Sequence, residues 1–377
     1  MLSFATFVIL ALSVAAHPSG TQPATDVTPA SPRIGQRCVG EITSLADVAA
    51  AEKCLTINIR TFVVPAGQSL DLNPVDGATV TMQGPVSFAH SNWAGPLMTI
   101  SGNNIVFNGQ GYELNGNGDQ YWDGLGGNGG VVKPAPMLRV RMSGTFENVK
   151  VLNTPMRAIS VNANNVLVRS INIDNSAGDV ANSQSNGKPA GHNTDGFDVS
   201  GNNVRIENSQ VHNQDDCLAL NRGTNVTFTG NTCTGQGHGI SIGSIGNNTV
   251  VSDVILSGNT ITNNGNAIRI KTKADASGSS VSNIVVSNNK ATGITGFGVL
   301  IDQSYPATLG TAGTGVKISG VSFSGTNTFA VTSKAKRVAV NCGSTSSCSG
   351  TWDFSGLTVT GGQAGSIKNA PVKGGSF

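Results

Sequence analysis

Charged side chains are scarce in this chain: Asp, Glu, Lys and Arg make up 12% of its 377 residues, about half the usual share. Long amphipathic helices need Glu, Lys and Leu, so a helical bundle is a poor fit. The formal net charge is only +2, so nothing points to nucleic acid or to a membrane surface as a partner. No Cys-x-x-Cys occurs. His212 and His238 each lie five positions from a cysteine, but no His-His or Cys-Cys pair completes a four-ligand zinc pattern. Beyond the amino terminus no stretch is long and apolar enough for a membrane helix. What remains is a chain rich in Gly (49 residues), Asn and Ser, which suits many short strands joined by tight turns.

The first sixteen residues form an apolar run with small residues at Val14 and Ala16, the pattern of a secretory signal peptide. Residues 17–33, with Pro, Ser, Thr and Ala and no periodicity, read as a propeptide or flexible linker, and 34–377 as a single domain. An exported, extracellular protein keeps its cysteines oxidised. The six cysteines allow fifteen connectivities; proximity favours Cys38 with Cys54, Cys217 with Cys233, and Cys342 with Cys348, without fixing them. Asn225 and Asn247 begin glycosylation sequons.

The sequence also resembles itself. Runs starting at Asn104, Asn165, Asn203, Asn225, Asp253 and Asn283 share one template: a polar residue, two apolar residues around a variable one, then a polar turn. The starts recur at solenoid intervals. Each unit carries a short strand that cannot bury its own apolar face, so stacking is required. Alternation alone also suits a β-sandwich; the recurring strand–turn unit favours an all-β, right-handed parallel β-helix. The stretch from Cys38 to Leu55 supplies a short N-terminal cap, with a turn or short helix.

Successive coils then carry polar residues that a solenoid does not require. Asp195, the Asp215–Asp216 pair and His238 are separated by about one coil, which predicts that they meet on one outer face. Three carboxylates gathered there cost electrostatic energy and add nothing to the core, which argues for a function. Asp198 reads as a structural bend residue. A calcium site would also use acids, but Arg269 and Lys271 nearby disfavour a cation. These two lie on one strand, pointing outward with Ile268 and Ile270 inward, one coil beyond the aspartates, where they can grip an anionic ligand. His192 and His212 read as supporting scaffold. Tyr305, a coil further on, either stacks on a sugar ring or covers the coil edge.

The motifs Asn193–Asp198, Gln214–Cys217, Gly237–Ser244 and Arg269–Lys271, with Gly116–Gly124 upstream and Tyr305 downstream, resemble the polygalacturonases of glycoside hydrolase family 28, especially the fungal endo-acting type. The resemblance covers nearly all of the chain after its leader. It implies a β-helix with an open cleft that hydrolyses α-1,4 bonds of homogalacturonan with inversion, and it implies no metal; a monomer without cofactor is expected. It makes Asp215 the acid, Asp195 and Asp216 the carboxylates that activate water, and His238 the support of the acid. Arg269, Lys271, Tyr305 and Asn193 would bind substrate. The family's disulfides also favour nearest-neighbour pairing. Asn221-Arg222 and the carboxyl end, which lacks a final cysteine pair, depart from the pattern. Alternatives are an exo-acting or rhamnogalacturonan hydrolase, a calcium-dependent lyase, and a non-catalytic pectin-binding protein; the presence of all three aspartates counts against the last.

Overall fold

A computed structural model describes residues 35–377; the expected signal peptide and the expected linker lie outside the described residues. Strand follows strand, and every pairing between them is parallel. The strands stack in three ladders around an apolar interior, and the coil is a right-handed parallel β-helix, the hand expected of parallel crossovers. The amino end is closed by Gln36–Ile42, a one-turn segment at Leu45–Asp47 and a short helix at Val48–Ala51, the small cap expected.

The repeat template has a backbone cause. Asn104, Asn165, Asn203, Asn225, Asp253 and Asn283 all sit at φ between 55° and 57°, the left-handed region that Asn and Asp tolerate best after glycine. Each such bend turns the direction of the chain within its coil. The bends also bond to each other: Asn203 donates to Asn165 at 2.8 Å, Asn225 to Asn203 at 2.9 Å, and Asn283 to Asp253 at 2.7 Å. Asn225 and Asn247 are both exposed, so the sequons lie on the surface.

A second Asn ladder runs inside the coil, where Asn231, Asn259, Asn289 and Asn327 are buried. Asn259, Asn289 and Asn327 each accept, through the side-chain oxygen, the backbone N–H of the Asn on the preceding coil, and Asn231 accepts that of Ser209. Burial without partners would be costly, and the stack satisfies the donors in register.

The three disulfides join Cys38 to Cys54, Cys217 to Cys233 and Cys342 to Cys348. Cys217 follows Asp216 at a bulge between Asp216 and Leu218. Its bridge ties the strand that bears the aspartates to the neighbouring ladder, where Cys233 lies level with Val211.

Candidate active site

One ladder builds the site. Phe197, Leu218, Ile240, Ile268 and Val299 lie level on successive strands, and all are buried in the interior. The period of two therefore turns the next position outward, giving the row Asp198, Ala219, Ser241, Arg269 and Leu300. Asp198, Ala219 and Arg269 of this row line a cleft of about 560 Å³. Asp195, Asp215, Asp216, His238, Arg269, Lys271, Tyr305 and Asn193 all line it. The residues expected to converge do converge.

Asp215 and Asp216 have different partners. His238 Nδ1 lies 3.0 Å from Asp215 Oδ1, which also accepts the Asp216 N–H at 2.7 Å. Asn193 Nδ2 donates to Asp215 Oδ2 at 2.8 Å. Asp216 instead accepts Ser241 Oγ–H at 2.6 Å and the Lys271 ammonium at 2.7 Å. Lys271 lies two strands from Asp216, not one as expected; its long side chain reaches back over the short Ser241. Gly243 lets the backbone of its strand come close to that of Lys271, because a Cβ there would lie 2.1 Å from the Lys271 carbonyl oxygen. The Tyr305 ring has Arg269 at 6.0 Å and Lys271 at 5.6 Å from its centre, so it orients the cations as well as facing the cleft.

The electrostatics separate the carboxyls. Burial, and then the charges of Asp215, Asp198 and Asp216, hold Asp195 well above the usual carboxylate range. Burial raises Asp198 to about 6, against the opposing pull of Arg157 and a hydrogen bond from Asn221. Burial also acts upward on Asp215, but the hydrogen bond and charge of His238, followed by Lys271, outweigh it and bring the group down to about 2. The hydrogen bond with Asp215 raises His238 in return, against burial. The proton of this couple therefore rests on the imidazole. Asp215, Asp216 and His238 offer ligand atoms within 4.8 Å of one another, yet Lys271 already supplies the positive charge a metal would bring.

Residues 54–376 match the family model described as glycosyl hydrolases family 28. The chain belongs to this family. It is 42% identical over 330 residues to a probable endopolygalacturonase I of Aspergillus terreus, covering 85% of this chain and 86% of that protein. An endo-polygalacturonase of Sclerotinia sclerotiorum is 43% identical, covering 82% and 80%. Among solved structures, endopolygalacturonase I from Stereum purpureum, complexed with two galacturonates, superposes with a TM-score of 0.85 at 45% identity, covering 89% of this chain and 99% of that one.

In this family 28 glycoside hydrolase some site residues gave no sequence signal. Arg157 lines the cleft with its Nε 3.7 Å from Asp198 Oδ2; it precedes a three-residue strand, Ile159–Val161, too short to show alternation. Asp198, expected to be a bend residue, lies instead within the strand Phe197–Ser200 and faces the cleft. Asn221, noted as a departure, donates to Asp198 at 3.3 Å. His212 pairs with Asp179 at 2.6 Å, behind the cleft, whereas His192, expected to be scaffold, lines the cleft and faces Asn128 at 3.2 Å.

Proposed function

We propose that this chain is an extracellular, monomeric endo-polygalacturonase that hydrolyses α-1,4-galacturonosyl bonds of homogalacturonan with inversion. The observation that carries the reading is the division of labour between adjacent aspartates, one paired with His238 and the other with Lys271, in a cleft lined by Arg269. The relative from Stereum purpureum, whose complex holds two galacturonates, supports an anionic sugar as the ligand.

Glycoside cleavage needs one group that gives a proton and one carboxylate that takes one from water. A carboxyl held near 2 keeps no proton of its own at mildly acidic pH, so Asp215 serves as acid by passing on the proton that His238 stores. The proton moves from His238 Nδ1 through Asp215 to the glycosidic oxygen as the bond breaks. Asp216, fixed by Lys271 and Ser241, and Asp195, once ionised, orient and deprotonate the attacking water. Activity should then follow a bell in pH, its acid limb set by Asp195 losing a proton and its alkaline limb by the His238–Asp215 couple losing one. Arg269, with Tyr305 beside it, grips the sugar carboxylate.

Digestion of polygalacturonate tests this directly. Viscosity should fall well ahead of reducing-end release, and proton NMR of the first turnovers should show the β-anomer. Asp195→Asn, Asp215→Asn and Asp216→Asn should each remove nearly all turnover with circular dichroism unchanged. An initial α-product refutes inversion, monomer alone from the outset refutes internal cutting, and substantial turnover by a variant refutes that aspartate's role.

A further inference from the structure

The segment from Asp123 to Lys133 holds a buried ion pair that the chemistry above does not use. Lys133 Nζ lies 2.8 Å from Asp123 Oδ2, with side chains 1% and 8% exposed. The same ammonium donates to the carbonyls of Gly126 and Val131, each at 3.1 Å, and of Gly129 at 3.4 Å. Asp123 in turn accepts the N–H of Leu125 at 2.9 Å and of Val131 at 3.3 Å. The whole loop is thus drawn onto one pair of charges. Burying such a pair is weak support for stability by itself. The loop needs a pin for another reason: Gly124, Gly126, Gly129 and Gly130 all sit at positive φ, and glycine backbone is loose unless something fixes it.

Among the groups that the pinned loop presents to the cleft is the Gly127 N–H. Gly127 donates to Asn193 Oδ1 at 3.0 Å, and the other end of the same amide donates to Asp215 Oδ2 at 2.8 Å. An amide has nearly the same shape when flipped. The Gly127 N–H can face only the oxygen, so it forces the NH₂ group toward Asp215. Asn193, read from sequence as a substrate-binding residue, has both amide atoms engaged by protein.

We propose that the Asp123–Lys133 pair is a remote positioning device for the reaction, holding Gly127 so that Asn193 aims Asp215. The inference rests on the reading of Asp215 as the acid. Small displacements of an acid carry large rate costs, because the proton must travel along a short, aligned path. Removing a donor from Asp215 also removes support for its ionised form, so the couple should hold its proton to higher pH.

A double-mutant cycle in the full-length enzyme tests the idea. Lys133→Met should lower kcat about tenfold and move the alkaline limb of the kcat profile to higher pH, whereas in an Asn193→Ala background it should lower kcat by less than about twofold. The same tenfold loss in both backgrounds, or an unmoved alkaline limb, overturns the proposal, since a merely structural pin would act independently of Asn193. If Lys133→Met does not fold, Asp123→Asn runs the same cycle with the same expectations. Asp215→Asn is measured alongside. An inactive Asp215→Asn with no coupling in the cycle sinks the positioning role alone, while an active one sinks the assignment of Asp215 on which it rests.

Discussion

Asp198 shows what a cleft does to a single carboxyl. It sits beside Arg157 and Asn221, yet burial raises it to about 6 from an ordinary 3.8. A raised carboxyl binds its proton more tightly in the folded state than in the unfolded chain. Its contribution to stability is therefore complete below about 3.8 and lost as pH rises through about 6. At 1.36 kcal/mol per pH unit this amounts to at most about 3 kcal/mol. Asp198→Asn should remove that loss. Urea unfolding at pH 4 and pH 7 should show wild type falling relative to the variant by an amount of this order. A difference that stays constant between the two pH values would mean that Asp198 titrates as it does in the unfolded chain. The sequence placed Asp198 in a motif but could not show the strand geometry that turns it toward Asp195 and Asp216, and a bend was the plainer reading.

Among the elements, the strands and their outer bends were legible because their pattern is local. Asn203-Val-Arg-Ile and Asn225-Val-Thr-Phe display both the alternation and the left-handed bend residue, and no long-range information is needed to read them. The inner ladder was not legible, because Asn231, Asn259, Asn289 and Asn327 look like ordinary turn residues until the coils are stacked. Lys271 likewise lies two strands from Asp216 because the strand that carries Ile240 and Ile242 comes between them, a gap that only a long side chain spans. The two ladders should differ sharply in what they contribute. Asn259 holds the Asn231 N–H and donates to the Phe228 carbonyl, all within the interior. Asn259→Ala strands a buried donor and a buried acceptor, and should cost about 3 kcal/mol in urea unfolding. Asn203→Gly, on the exposed bend, keeps the left-handed backbone and removes only the side chain, and should cost less than about 1 kcal/mol. Equal costs would mean that the inner stack adds nothing beyond its bends.

Over the whole molecule, charge is sparse and local. A net charge of +2 gives the protein no long-range field with which to draw in a polyanion, so affinity for an acidic polysaccharide must come from the cleft itself. Arg157 and Arg269 there each have a buried Nε without a hydrogen-bond partner among the described residues, and both guanidinium groups line the same cavity. A sugar carboxylate entering the cleft could make a charge-assisted bond with either guanidinium. The remaining exposed part of that attraction is screened by salt over about 10 Å at 0.1 M. KM for polygalacturonate should therefore rise between low and high ionic strength, whereas kcat, if the enclosed aspartates and His238 set it as proposed, should change little. Methyl esterification removes the negative charge of the sugar. A highly esterified pectin should be cut slowly, and its KM should be nearly independent of salt. Measuring KM for both substrates at 0.05 M and 0.5 M salt separates the contributions; an equal salt response for the charged and the esterified polymer would show that carboxylate recognition is not what holds the substrate in this cleft.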